Sequence, residues 1–279
     1  MEGMKSPWLF ALIVLSAAIA AAQTAPDSSV GDIFNNPLAT ETALASSATL
    51  SYTIAHFPYG GGLTTRLALA NNGKASATVN ITFFDNAGQP TSVPLEGIGL
   101  KGTESVTVGA NQTKMIGSEL SQRASAGQVA WATMTSTAPL NVFSLFDFGP
   151  NPPTINWAVG AQSTAPSKSF RFPVSIGGPV NYNAGMALSN PNGTQTVVTV
   201  KVLKADGTSL GSFQETLPKN GQTVFLLSPH AGLNFDGTPF NGSVAVCAPQ
   251  AVGLVALGAE GDPKSPGLFS ISVTTDPCP

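Results

Sequence analysis

The amino-acid sequence predicts an all-β protein with two antiparallel β-sandwich domains in tandem, which follow a signal peptide and a flexible leader. Three observations lead to this prediction. Apolar and polar residues alternate with a period of two in ATVNITFFD (residues 77–85) and TVVTVKVLK (residues 196–204). Asn-Gly or Asp-Gly turns, of the kind that tight hairpins need, lie close to these stretches. The second stretch repeats the first at a constant separation, which is 119 residues between Gly88 and Gly207.

The first 48 residues precede the strand pattern. Trp8–Ala22 is an uncharged apolar run of 15 residues that ends in three alanines before Gln23, as a signal-peptidase site requires. The run is shorter than the ~20 residues that span a bilayer, and an uncleaved N-terminal anchor is the alternative. We expect a signal peptide at residues 1–22, a secreted chain in the extracellular or periplasmic space, and a flexible polar leader at residues 23–48.

The repeat extends beyond the two strand patterns and sets the predicted domain boundaries. HFPYGGG (residues 56–62) resembles RFPVSIGG (residues 171–178), and GQVAWA (residues 127–132) resembles GSVAVC (residues 242–247). These matches predict one domain at residues 49–162, a linker at residues 163–167 and a second domain at residues 168–279. Two copies are too few for a solenoid, so tandem globular domains are the better interpretation.

Each predicted domain contains seven or eight short strands. In the first domain, further strands are expected at residues 104–108, 112–116, 128–135, 141–148 and 155–161. No stretch has a convincing helical period, so the crossover helices of a parallel sheet are missing. This pattern predicts an immunoglobulin-like antiparallel sandwich for each domain, with a small barrel as the alternative.

Several motifs resemble a module that recurs in uncharacterised secreted bacterial proteins with tandem β-sandwich repeats. The motifs are Phe57-Pro58, the triple glycine Gly60–Gly62, the Leu-x-Asn-x-Gly segment Leu69–Gly73, the Phe84-Asp85 hairpin and the late Trp131-Ala132 pair. The second unit departs from the module, because Val246 replaces the late Trp and only Gly177-Gly178 remains of the triple glycine. The resemblance implies a secreted sandwich fold and brings no functional residues with it.

The composition and motifs argue against most catalytic classes. Charged residues make up only 10% of the chain, and no Lys/Arg cluster provides a nucleic-acid or polybasic membrane surface. His56 and His230 lie in different units without metal-ligand neighbours at local spacing. Nucleophile-elbow, phosphate-loop and dinucleotide motifs do not occur in the sequence. We therefore expect no catalytic residues, no metal, no cofactor and no enzyme activity.

Three aromatic residues are the candidate ligand-binding residues. Trp131 and Trp157 lie inside strand patterns, and Phe84 points away from Phe83 across its strand. Exposed on a sheet face, such rings could stack on sugars. The alternatives are a buried core position for each tryptophan and a position between the two units for Phe84.

The two cysteines, Cys247 and Cys278, both belong to the second unit. A secreted chain with an even number of cysteines favours a disulfide, and we predict an intramolecular bond that fastens the C-terminal tail to the sandwich. A buried free Cys247 with a Cys278 that pairs between chains is the alternative.

Together these features predict a secreted, non-catalytic structural or adhesive module. The alternative function is a carbohydrate-binding protein that uses exposed aromatics on a sheet face. The expected partner is a glycan or protein of a cell surface or matrix. We expect no nucleic-acid binding and no membrane insertion of the mature chain.

Overall fold

The computed structural model describes residues 49–149, 157–179, 181–228, 230, 233, 235, 239–260 and 267–279. The signal peptide and the leader, predicted for residues 1–48, lie outside the described residues. The described residues form an all-β protein with antiparallel sheets, as the sequence predicts, and they contain no α-helix. One 3-10 helix, Leu120–Ala124, follows a strand in the N-terminal half.

The described residues of the N-terminal half, residues 49–162, form ten strands. They are β1 Leu50–Tyr59, β2 Leu63–Asn71, β3 Ala77–Phe84, β4 Val93–Leu95, β5 Gly99–Lys101, β6 Thr103–Val108, β7 Gln112–Gly117, β8 Gln128–Ser136, β9 Asn141–Phe148 and β10 Trp157–Gln162. Two four-stranded sheets have the orders β1-β8-β3-β6 and β10-β9-β2-β7. Apolar residues of both sheets, such as Phe57, Phe83 and Leu67, meet in one buried core, which is the packing of the β-sandwich class.

In the C-terminal half, residues 167–279, the part of the chain that the structure describes forms seven strands. They are β11 Ser167–Ile176, β12 Asn183–Ser189, β13 Thr196–Lys204, β14 Ser209–Leu217, β15 Gln222–Leu226, β16 Phe240–Glu260 and β17 Gly267–Ser270. Residues 240–247 of β16 pair with β11 and β13, and residues 253–260 of the same strand pair with β12 and β17. A second buried core, with Phe170, Phe172 and Val200 among its members, lies entirely within this half.

The strand order is the same in the two halves. The order β1-β8-β3-β6 corresponds to β11-β16-β13-β14, and the order β10-β9-β2-β7 corresponds to β17-β16-β12-β15. One difference is that β8 and β9 are separate strands, whereas their counterparts are continuous in β16. The other is the β4–β5 hairpin, whose place in the C-terminal half is taken by the turn between Lys204 and Thr208.

The strands predicted from periodicity are found close to their expected positions. β9 has the predicted bounds, and β6, β7 and β8 differ from the prediction by one residue at an end. β10 begins at Trp157, and residues 155 and 156 of the predicted strand lie outside the described residues. β11 begins at Ser167, the last residue of the predicted linker.

Candidate functional site

The two halves pack against each other through a surface that we call the junction. Phe146, Val159 and Ala161 of the N-terminal half form one buried apolar cluster with Leu257 of β16. Val255 and Leu268 of the C-terminal half pack against the same cluster. Because strands β9, β10, β16 and β17 all contribute, the junction fixes sheets of both halves rather than a pair of loops.

Two glycines let the halves approach closely at the junction. A side chain at Gly253 would overlap Thr53 Oγ1 of β1 and would lie 2.5 Å from Ser189 Oγ. A side chain at Gly88 would overlap the Lys219 carbonyl oxygen, and the φ of Gly88 is +84°. Main chain therefore contacts the opposite half directly at both places, which only glycine permits.

Hydrogen bonds cross the junction at three points. The Gln222 backbone N–H donates to the Asn86 carbonyl at 3.0 Å. The Trp131 indole Nε1–H donates to the Asn220 carbonyl at 2.9 Å. Gln222 also donates from its side-chain Nε2 to the Ala55 carbonyl. Two turns, one after β3 and one before β15, thus supply directional contacts beside the apolar cluster.

The aromatic candidates from the sequence lie at or near this surface. Trp131 is 0% exposed and stacks on the half-buried Phe84, with ring centroids 5.1 Å apart. The buried Trp131 ring has no accessible face for a sugar, and its indole N–H is used by Asn220 of the other half. Trp157 begins β10, and its side chain lies outside the described atoms.

His56 is buried in the junction. On β1, Ile54 pairs with Ala132 of β8 and Phe57 pairs with Ala130. The two residues between them, Ala55 and His56, therefore oppose the single residue Trp131. This is a β-bulge, which re-aims the side chains of the bulged strand. His56 Nδ1 lies 3.2 Å from Gln222 Nε2, and burial lowers the pKa of His56 to about 3. The imidazole is therefore neutral at pH 7.

A small space lined by both polar and apolar residues adjoins His56. Thr53, His56, Ser144, Ser163 and Leu254 are among its lining residues, and it has room for about one water molecule. Three buried polar atoms at the junction have no hydrogen-bond partner in the protein, namely Thr53 Oγ1, Ser189 Oγ and Gln222 Oε1. Buried polar atoms without a protein partner are the groups that ordered water satisfies, so the junction is suited to hold one.

A cluster of charged residues surrounds the buried Asp147 at one end of the second N-terminal sheet. The Asp147 carboxylate is 1% exposed and pairs at 2.6 Å with Nη2 of Arg66, whose side chain is 40% exposed. The buried Arg123 donates from Nη2 to Thr64 Oγ1 at 3.0 Å. Burial lowers the pKa of Arg123, and the Asp147 carboxylate opposes that shift. The opposite charges compensate one another in a place where a single charge would be costly.

The triple glycine lies next to the 3-10 helix that carries Arg123. Gly60, Gly61 and Gly62 all have positive φ, between 58° and 89°. The Gly62 N–H donates to the Arg123 carbonyl at 2.8 Å, and the Gly61 N–H donates to the Ser125 carbonyl at 2.7 Å. The motif therefore holds the 3-10 helix that carries Arg123 against the start of β2.

The repeated Leu-x-Asn segment has a structural role in both halves. Asn71 is 0% exposed, and its Nδ2 donates to the carbonyls of Ala75, Val108 and Gly109. Asn190, also 0% exposed, contacts the corresponding carbonyls of Thr194, Leu217 and Pro218. Each asparagine joins the turn after its strand to the end of a strand in the opposite sheet.

Cys247 and Cys278 form an intramolecular disulfide with a Cα separation of 5.8 Å. The C-terminal tail that it fastens also makes two main-chain hydrogen bonds between Arg171 and Thr274, at 2.8 and 2.9 Å. Ile271 and Val273 of the tail pack against the core of the C-terminal half. The tail thus covers the side of that half next to β11.

His230 lies in hydrogen-bond contact with Glu215, a pair that sequence spacing does not reveal. Its Nε2 lies 2.7 Å from Glu215 Oε1, and its ring stacks on Phe225 with centroids 4.2 Å apart. Within the described residues, no group of three or more His, Cys, Asp and Glu side chains could hold a metal ion. No helix in that part of the chain is both long and apolar enough to cross a membrane.

Comparison with known proteins gives no match, whether with protein-family models, with curated proteins or with solved structures.

The junction is the feature that the sequence analysis did not identify. Its signal in the sequence is the stretch VGLVALG, residues 252–258, which is apolar at successive positions instead of alternating. Such a strand is buried on both faces. One face contacts the core of the C-terminal half through Leu254 and Ala256, and the other contacts the N-terminal half through Val255 and Leu257.

Proposed function

We propose that this chain is a secreted, non-catalytic structural or adhesive module of the extracellular or periplasmic space. In this proposal, residues 49–162 and 168–279 are immunoglobulin-like sandwich domains, joined by the linker at residues 163–167. The equal strand order of the halves and their separate cores support this division. The resemblance to secreted bacterial repeat modules adds the expectation that the two domains arose as a tandem repeat.

The observation that carries the functional proposal is the junction. Its apolar cluster and its crossing hydrogen bonds connect the two halves directly, and in this proposal they keep the halves in a fixed arrangement. A rigid pair presents two surfaces at a set distance without the ordering cost that a flexible linker imposes. Linked binding surfaces gain about 10²–10⁴ in avidity when geometry lets both engage. Such a unit suits a surface or matrix protein that must resist displacement.

The disulfide supports secretion. Disulfides persist in oxidising compartments and are rare in the cytosol. Cys247 and Cys278 fasten the tail of the C-terminal half, where reduction would release it. Secretion after removal of residues 1–22 is tested by the N-terminal sequence of exported protein, which we expect to begin near Gln23. A retained Met1 would contradict this expectation.

Binding to surfaces tests the adhesive proposal. The oxidised full chain is applied to a printed glycan array and to immobilised mucin and collagen, and the same sample is incubated with chromogenic ester, glycoside and peptide substrates. We expect saturable binding to one of the surfaces and no turnover. Turnover that survives repurification and disappears on unfolding would overturn the non-catalytic assignment. Failure to bind any surface would remove the adhesive role.

The carbohydrate-binding alternative depends on Phe84, which is half-buried beside the buried Trp131. It predicts that Phe84→Ala lowers glycan binding at least tenfold. Val197 is 38% exposed in the C-terminal half, so Val197→Ala serves as the matched control. If Phe84→Ala binds glycans as the unsubstituted chain does, Phe84 is not a sugar platform.

A further inference from the structure

His56 occupies a position in the junction where a positive charge has no compensation. The residues around it come from β9, β10, β15 and β16 as well as its own strand. They are Ser144, Phe146, Ala161, Gln222, Leu254 and Val255. In the described part of the chain, no acid, base or second histidine lines this space. The side chain is 6% exposed, so bulk solvent does not provide the missing compensation either.

Gln222 ties the neutral form of His56 to the contact between the halves. Its Nε2 group donates to the Ala55 carbonyl and faces His56 Nδ1 at 3.2 Å. Nδ1 can accept this hydrogen bond only while it carries no proton, so the neutral tautomer protonated at Nε2 fits the site. Protonation at Nδ1 would set two donors against each other.

The β-bulge explains why the charge would act on the junction. Ala55 and His56 are the two residues opposite Trp131, and they contact Gln222 of the C-terminal half. Trp131, on the neighbouring strand, donates to Asn220 of the same half. A change in the position of His56 therefore affects the hydrogen bonds that join β1 and β8 to Asn220 and Gln222.

We propose that the junction is a proton-sensitive contact: protonation of His56 separates the two halves at this contact while each half keeps its fold. The inference concerns how the halves are held together and does not depend on which ligand the protein binds.

The direction and size of the effect follow from linkage. In the closed junction, burial lowers the pKa of His56 to about 3, whereas an exposed histidine has a pKa near 6.5. The open state therefore binds the proton at higher pH, and the closed state loses stability as pH falls below about 6.5. Between pH 7 and pH 5, the ratio of open to closed junction should rise about 25-fold.

Trp131 provides a direct reporter. It is fully buried and hydrogen-bonded across the junction, and the chain has three tryptophans. In protein labelled with 5-fluorotryptophan, each tryptophan gives its own ¹⁹F signal, which Trp131→Phe assigns. We expect the Trp131 signal to move toward a solvent-exposed state between pH 7 and pH 4.5, while the far-UV circular dichroism stays constant.

Two variants and one control decide the cause. His56→Gln should abolish the pH dependence, because a neutral side chain replaces the titrating one. Gln222→Glu should oppose acid opening, since a carboxylate would compensate the imidazolium. His230→Gln removes the other of the two histidines and should leave the pH response intact.

The proposal is overturned if the Trp131 signal is constant over this pH range, or if His56→Gln responds to acid as the unsubstituted chain does. Loss of circular dichroism together with the Trp131 shift would also overturn it, because His56 would then support the fold of the N-terminal half and not the junction. If His56→Gln does not fold, the response of Gln222→Glu decides alone.

Discussion

Gly253 offers the sharpest test of the junction, because an added methyl group meets the opposite half. Its ideal Cβ would overlap Thr53 Oγ1, and it would lie 2.5 Å from Ser189 Oγ and 2.6 Å from Thr53 Cβ. Two of these three atoms belong to β1 of the N-terminal half. The φ of Gly253 is not positive, so Gly253→Ala introduces a steric conflict without backbone strain.

The expected cost follows from this geometry. Real Cβ atoms essentially never approach other heavy atoms within 3.0 Å, so β1 and β16 must move apart. Overpacking of a well-packed interior costs about 1–3 kcal/mol. The Thr53 and Ser189 hydroxyl groups can change rotamer, but Thr53 Cβ is fixed to the backbone of β1. Because this contact can be relieved only by a backbone shift, we expect the upper part of this range. The shift should also weaken the apolar cluster around Leu257.

Urea unfolding, followed by circular dichroism and by Trp131 fluorescence, measures this cost. Gly193→Ala is the matched control, since no atom lies within 4 Å of its ideal Cβ, and we expect a change below about 0.5 kcal/mol. Adding Thr53→Gly to Gly253→Ala removes two of the three close atoms and should recover part of the loss. A stability of Gly253→Ala within about 0.5 kcal/mol of the unsubstituted chain would refute the close contact between the halves.

Three further predictions concern other parts of the structure. Asn71→Ala removes a buried side chain whose Nδ2 donates to three carbonyls, so unfolding studies should show a loss of about 2–3 kcal/mol, whereas the exposed Asn80→Ala should stay within about 0.5 kcal/mol. Cys278→Ser opens a cross-link over 31 residues and should cost about 3–4 kcal/mol; an equal midpoint in oxidised and reduced unsubstituted protein would contradict this. Asp147→Asn leaves the buried Arg123 charge uncompensated and should cost about 3 kcal/mol by the same method, against under about 0.5 kcal/mol for Glu104→Gln in the longer, partly exposed ion pair with Lys101; equal losses would refute the distinction.

The junction changes the interpretation of several conspicuous residues. Trp131 suggests a sugar-stacking residue in the sequence, yet its ring is covered by the opposite half and its N–H is satisfied there. The Leu-x-Asn segment gives no indication of burial in the sequence. In the structure, Asn71 and Asn190 are both buried, and each joins a turn to the end of a strand by hydrogen bonds. Polar residues that look available for function are in these cases used by the architecture.

The sequence by itself determined the strands, the corresponding patterns in the two halves and the possible cysteine pair. These are local properties. Side chains two residues apart share a face of a strand, and Asn-Gly turns have a conformational preference of their own, so both can be read from neighbouring positions. For the same reason, Ala77–Phe84 and Thr196–Lys204 are strands in the structure as their alternation predicts.

Only the tertiary structure decided which outward faces are covered. Gln222 meets Ala55 and His56 across 167 and 166 residues of chain, and Gly253 meets Thr53 over a comparable separation. No local period encodes such a pair, because alternation indicates that a residue points outward but not what lies there. The β-bulge at Ala55 and His56 depends in the same way on pairing with β8. The candidate site therefore results from contacts between two halves whose individual strands were predictable, and its chemistry arises from the burial that these contacts create.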